Sequence, residues 1–297
     1  MQYANRFDQA EALFRVAKRS DDAEAMTSLG AMLMQGDGVD RDATLSVEWL
    51  MRAVEKNNAE AQWRLGLAYA QGDGVVKNNA EASRLLQLSV SQGNCDAQYH
   101  WAQFIDHQSN KAEVRAKAMS LYEAAAQQGH MPAQLHLAYV LRADEAMHDP
   151  SHDPNAVPIP RKTVRRSTAP HLVRSVNFFR MAADKGHAAA QFELGQMYAQ
   201  GLGVIQQFEE AAQWYLLAAK QGHAQAAFHL GFLHSHGQGV EQGYVKAYQW
   251  YCVSERFGYA LAKKNLALIS KKLSPGEREM AQWRAESFVF GVQENHQ

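Results

Sequence analysis

A fixed spacing of 36 residues governs this chain and constrains its fold more than any other feature. A small residue following a large apolar one recurs at Leu29-Gly30, Leu65-Gly66, Trp101-Ala102, Leu137-Ala138, Leu194-Gly195, Leu230-Gly231 and Leu266-Ala267. The small residues lie 36 apart at every step but one; that step is 57, one period plus a 21-residue insertion. Leu13, Trp49, Leu85, Leu121, Phe178, Trp214 and Trp250 form a second column with the same intervals. A third is Ala17, Ala53, Ser89, Ala125, Ala182, Ala218 and Ser254, and a fourth is Asn57, Gly93, Gly129, Gly186, Gly222 and Gly258. Columns held in phase identify a repeat architecture, which has to be recognised before length is read as a domain count. The 297 residues would otherwise suggest two ordinary domains.

Each period reads as two helices. In residues 188–200, Phe192, Leu194, Met197 and Tyr198 recur at helical spacing, with Ala190 and Gly195 allowing close approach. A Gly-x-Gly-Val turn follows at Gly36, Gly72, Gly201 and Gly237, where two glycines permit a left-handed cap and a tight reversal. The second helix, as in residues 208–222, carries Ala211, Trp214, Tyr215 and Ala218 on one face and stops at Gly222. We call these the A and B helices. They pair as antiparallel hairpins, and because one hairpin cannot bury its own apolar face, successive hairpins stack.

The run A-Q-F-x-L-G-x-x-Y-x-x-G-x-G-V, continuing through A-x-x-W-Y-x-x-A-A-x-x-G-H-A over residues 190–224, strongly resembles the Sel-1-like repeat, a relative of the tetratricopeptide repeat. The expected fold is an all-α, right-handed α/α superhelical solenoid of about six to seven helix-turn-helix repeats. Its divisions are an N-terminal half repeat (1–21), repeats (22–143), a Pro-rich insertion (144–170), repeats (171–272), and a C-terminal capping helix and tail (273–297). Ser274-Pro275-Gly276-Glu277 reads as the start of that capping helix, with Met280, Trp283 and Phe288 covering the last open face. Unit three has His107-Gln-Ser-Asn-Lys111 in place of the glycine turn.

The insertion holds five of the seven prolines, acidic residues first (Asp144, Glu145, Asp149, Asp153) and then Arg161, Lys162, Arg165 and Arg166. It reads as a loop. Its functional version is a basic contact for an acidic partner, with Ser167 and Thr168 as phosphoacceptors; its plain version is a tether.

Lys+Arg 30 against Asp+Glu 31 gives a net charge of −1, which argues against a nucleic-acid or acidic-membrane binder. No stretch approaches the ~20 apolar residues of a membrane helix. The first residues lack the basic and apolar regions of a signal peptide, and two cysteines make no disulfide framework, so a cytoplasmic monomer is expected. His229, His234 and His236 invite a metal reading, but His234 occupies the buried structural column of Tyr69 and Tyr198, and no carboxylate or thiolate stands at ligand spacing. His130, His187 and His223 follow the helix-ending glycine and serve the turn. The Gly-x-Gly-Val turns are not phosphate loops, because those follow a strand and occur once. No cofactor is expected.

One polar column survives as a binding candidate: Ser28, Arg64, His100, His136, Glu193, His229 and Asn265. One and two turns on lie Leu67 and Gln71, Gln103 and His107, Tyr139, Gln196 and Gln200, and Phe232 and His236. These spacings share one helix face. In solenoids of this kind the A helices line the concave surface, so the stripe suits a partner's peptide or helix. The resemblance implies a non-enzymatic adaptor, with roles in bacterial signalling, envelope or virulence pathways or in eukaryotic protein quality control. Cysteine-rich relatives linked to β-lactam binding or hydrolysis suggest a hydrolase-like alternative, but their per-unit cysteine pairs are missing here. Self-assembly through an uncovered end is a third possibility.

Overall fold

The computed structural model describes residues 12, 15–19, 21–108, 111–146 and 169–294; among them every regular element is a helix. The A and B helices alternate along the chain. They run α1 (Ala23–Gln35), α2 (Ala43–Glu55), α3 (Ala59–Gln71), α4 (Asn79–Ser91), α5 (Cys95–Gln108), α6 (Ala112–Gln127) and α7 (Met131–Ala146). After the insertion come α8 (Pro170–Asp184), α9 (Ala188–Gln200), α10 (Phe208–Ala219), α11 (Ala224–His236), α12 (Tyr244–Arg256), α13 (Ala262–Ile269) and α14 (Pro275–Glu294). The chain forms two compact units, Met1–Ala133 and Gln134–Gln297.

In unit 1 the hairpins α1/α2, α3/α4 and α5/α6 stack through α2 on α3 and α4 on α5, which also brings the successive A helices α1, α3 and α5 alongside one another. In unit 2 α8 packs on α9, the hairpins α9/α10 and α11/α12 stack through α10 on α11, and α13 and α14 both lie against α12.

The glycine columns explain both the turn and the pairing. Gly36, Gly72, Gly201 and Gly237 close their A helices in the left-handed region, each N–H bonding a carbonyl four residues back. The second glycine of the turn presses on a neighbouring B-helix start: a Cβ on Gly74 would lie 2.1 Å from the Ala43 carbonyl oxygen, and one on Gly203 2.4 Å from that of Leu172. The small-residue column is the helix crossing. A Cβ on Gly30 or Gly66 would sit 2.8 or 3.0 Å from Leu50 or Leu86, and one on Gly195 or Gly231 2.7 or 2.8 Å from the rings of Tyr215 or Tyr251.

The deepest B-helix column therefore stands one residue after the Trp/Leu column read from sequence. Leu50, Leu86, Tyr122, Phe179, Tyr215 and Tyr251 are almost wholly buried, and each contributes about 1.5–3 kcal/mol of burial energy. Phe178, Trp214 and Trp250 are only half-buried. In the Ala/Ser column, Ser89 and Ser254 are buried and donate to the carbonyls of Ala59 and Ala224, at 2.6 and 2.8 Å.

The capping helix departs from expectation. Ser274 and Glu277 form the capping box, with Glu277 accepting from both the N–H and the hydroxyl of Ser274 at 2.8 Å. The face that packs, however, is Ala281, Ala285, Phe288 and Val292, with Phe288 edge-on to Trp250. Trp283 is 67% exposed and Met280 43% exposed. Small alanines let α14 approach α12 closely, which turns the bulky residues outward.

Candidate functional site

The A-helix stripe is a mixture of open and closed positions. Arg64 is half-buried, bonded to Glu60 one turn away at 2.7 Å, with its guanidinium 4.8 Å from the Trp63 ring. Gln71, His107 and His236 are exposed; His100, Gln103, His136, Gln200 and Phe232 are half-buried; Tyr139 is 42% exposed and stands edge-on to Phe179. Two residues contradict a stripe open to solvent. Gln196 and His229 are each 2% exposed. His229 is stacked on Tyr215 at 5.2 Å and closed in by Phe192 and Phe228, so it belongs to the core. Glu193 is not available either: it pairs with Arg142, which also donates to Gln196 at 2.8 Å, and the ion pair is largely shielded from water. Arg161, Lys162, Arg165 and Arg166 of the insertion, with Ser167 and Thr168, lie outside the described residues.

Among the described residues, the stripe opens into a cleft in each unit. In unit 1 a cleft of about 210 Å³ runs between α1 and α3. Ala31, Met34 and Gln35 form one wall, Trp63, Arg64, Leu67 and Gln71 the other, and Leu50 the floor. In unit 2 a cleft of about 220 Å³ lies between α11 and α13. Its walls are Phe232, Ser235 and His236 opposite Asn265, Leu268, Ile269 and Lys272, with Tyr251 as the floor and Tyr244 at the rim. These are the same positions of the repeat frame: Phe232 stands where Ala31 does, Tyr251 where Leu50 does, Asn265 where Arg64 does, and Lys272 where Gln71 does. The floor residue is the one that packs against the column glycine, so helix crossing and cleft come from one contact.

The histidines at the repeat joints and in α11 divide into three kinds. Nδ1 of His130, His187 and His223 accepts the N–H of Ala133, Ala190 and Ala226 at 3.2–3.3 Å, the N-cap role that Asn58 and Asn94 play in earlier repeats. His223 also stacks on Phe192 at 4.5 Å, and burial lowers its pKa. His229 is the second kind, a buried neutral ring whose pKa burial pushes down to about 4. His234 and His236 lie in the last turn of α11, bonding the carbonyls of Glu241 and Phe232. Burial drives the Cys252 thiol up to about 12, and burial followed by Asp96 raises Cys95, so both are protonated and poorly nucleophilic near neutrality.

Two internal regularities escaped the reading of columns. Trp63, Tyr99, Phe192 and Phe228 occupy one position, and each meets a histidine ring: Trp63 stacks on His100 at 5.7 Å, and Tyr99 lies 4.7 Å from His130. Gln92, Gln128 and Gln221 donate to Gln62, Gln98 and Gln191 at 2.8–2.9 Å, a ladder joining each B-helix end to its own A helix. The 30-residue separation of these pairs is visible in the sequence and would have revealed the ladder.

The model of the Sel1 repeat family matches residues 23–58, 59–94, 95–130, 172–187, 188–223 and 224–252. Among solved structures, the chain is similar to a Sel1 repeat protein from Oxalobacter formigenes, at 24% identity and a TM-score of 0.58 over 84% of this chain and 99% of that one. It is also similar to c5321, a protective antigen of uropathogenic Escherichia coli with the same fold, at 24% identity and a TM-score of 0.51 over 96% of this chain. The chain covers 64% of that antigen's length. Comparison with curated proteins finds no match.

Proposed function

The chain belongs to the Sel1 repeat family, and from that premise we propose that it is a non-catalytic interaction scaffold that holds a peptide or helix of another protein along its A-helix faces. One observation carries this reading: each unit, taken by itself, opens a cleft at the same frame position, between consecutive A helices. Each cleft combines an apolar floor with polar side chains at its edge, the composition that suits a partner's side-chain anchor. Leu67 and Gln71 in unit 1, and Phe232 and His236 in unit 2, are the contacts the reading assigns. Glu193 is withdrawn as a contact because it is committed to Arg142. No helix among the described residues is long and apolar enough to cross a membrane.

The test is affinity capture with the intact chain, with Leu67→Asp and with Phe232→Asp. A partner retained by the wild type and lost by either variant, at unchanged melting temperature, supports the reading. Equal capture by all three contradicts it.

A further inference from the structure

Among the described residues, the two clefts differ in how their charges are satisfied. In unit 1, Arg64 is held by Glu60, and Asp73 by a two-pronged bond from Arg41 at 2.7 Å, so the charge around the cleft is closed on itself. In unit 2, residues 257–275 contain four lysines and no aspartate or glutamate. Asn265, Leu268 and Lys272 share the helical face that lines the cleft, and Lys264 and Lys271 flank exposed Leu268 at i−4 and i+3. Of the acids on either side, Glu241 is engaged with Lys246 at 3.1 Å, Glu286 with Arg256 at 2.5 Å and Glu277 in the cap of α14, while Glu255 and Glu279 form no ion pair with these lysines. None of Lys264, Lys271 and Lys272 has a carboxylate within ion-pair distance among the described residues.

We infer that the unit 2 cleft takes an acidic peptide segment, its carboxylates meeting the lysine edge beside a large apolar residue that enters the cleft. The inference rests on the A-helix reading above and adds the chemistry of the occupant. A volume of about 220 Å³ is below the 300 Å³ or more typical of small-molecule pockets and suits one inserted side chain. Phe232, stacked on His236 at 4.0 Å, and Leu268, 55% exposed, supply the apolar walls. Lys272 Nζ lies 4.2 Å from the centre of the Tyr244 ring and donates to its hydroxyl oxygen at 3.0 Å. The phenol proton therefore stays free to be donated outward, and a carboxylate at the rim meets an ammonium and a phenol together. Ser235 and Asn265 line the cleft together with Tyr251, so an inserted apolar group meets a ring floor with polar side chains at its edge. Unit 1 has the same cleft without the free cations, so the acidic preference belongs to unit 2.

The test is selection from a displayed library of random peptides on the full chain, followed by titration of the best synthetic peptide. Selected peptides should carry Asp or Glu beside Trp, Phe, Leu or Ile. The variant Lys271→Glu/Lys272→Glu, exposed at both positions and checked by its melting curve, should weaken the best peptide by roughly tenfold or more, equivalent to about 1.4 kcal/mol. Lys272→Gln should give a smaller loss, Arg84→Glu on the B helix α4 none, and raising the salt concentration should weaken binding to the wild type. Neutral or basic selected peptides, or acidic ones that bind the double Glu variant as well as the wild type, overturn the inference. If those peptides still depend on Leu67 or Phe232, the groove reading survives that result; if no selected peptide depends on any A-helix substitution, both fall.

Discussion

In unit 1 the crossing glycines Gly30 and Gly66 meet Leu50 and Leu86, whereas in unit 2 Gly195 and Gly231 meet the ring faces of Tyr215 and Tyr251. The frame is the same and the interiors differ. Leucine ends in movable methyls and asks for no hydrogen bond. A buried tyrosine brings a rigid ring and a hydroxyl; that of Tyr215, beside the equally unpartnered Nδ1 of His229, has no partner among the described residues. Unit 2 also holds the shielded Arg142–Glu193 pair, which ties α7 to α9 on either side of the insertion. The repeat period thus sets where helices touch, and the side chains at the contact set how sensitive each unit is to substitution and to acid.

Substitutions sharpen that contrast. The largest effect is expected at the ion pair: Arg142→Met leaves Glu193 shielded without its cation and should cost about 3–5 kcal/mol, read by denaturant unfolding. A loss below about 1 kcal/mol would mean the pair behaves as a surface bridge. Next come the crossings. Gly195→Ala forces the Tyr215 ring and should cost about 1–3 kcal/mol, with Gly66→Ala lower in that range because a leucine end can give way. Equal losses would remove the distinction between ring and methyl contacts.

The third effect is graded with pH. The pKa of His229 lies near 4 in the folded chain, below the ordinary histidine value of about 6.5, so between these values the unfolded state binds more protons. The stabilisation is complete above about pH 6.5 and is lost as pH falls toward 4, with a limiting slope of about 1.4 kcal/mol per pH unit. His229→Phe should flatten that slope. An unchanged slope would place the titration elsewhere.

Much of this was legible before any coordinates. Gly30, Gly66, Gly195 and Gly231 stand at a sequence interval, and interval alone places a hairpin crossing in a repeat protein. The αL turns at Gly36, Gly72, Gly201 and Gly237 follow from the same spacing with the conformational freedom of glycine. The open face was less legible. Spacing puts His229 on the same side as Arg64, but whether that side is open depends on what neighbouring repeats lay over it, and Phe192, Tyr215 and Phe228 close over His229. The cap misled for a related reason. Ala281/Ala285 and Met280/Trp283 both fit helical spacing, and only the closeness of α12 selects the small face.

The central claim is that the openings between consecutive A helices are where the partner sits. Hydrogen–deuterium exchange of the intact chain, free and saturated with a captured partner, tests it most directly. The account expects new protection on α1 and α3 around Met34 and Leu67, or on α11 and α13 around Phe232 and Leu268, with the B helices α2, α4, α10 and α12 unchanged on their outer faces. Protection confined to the B helices or to the exposed face of α14 at Trp283, with the A-helix clefts exchanging as in the free chain, would contradict it.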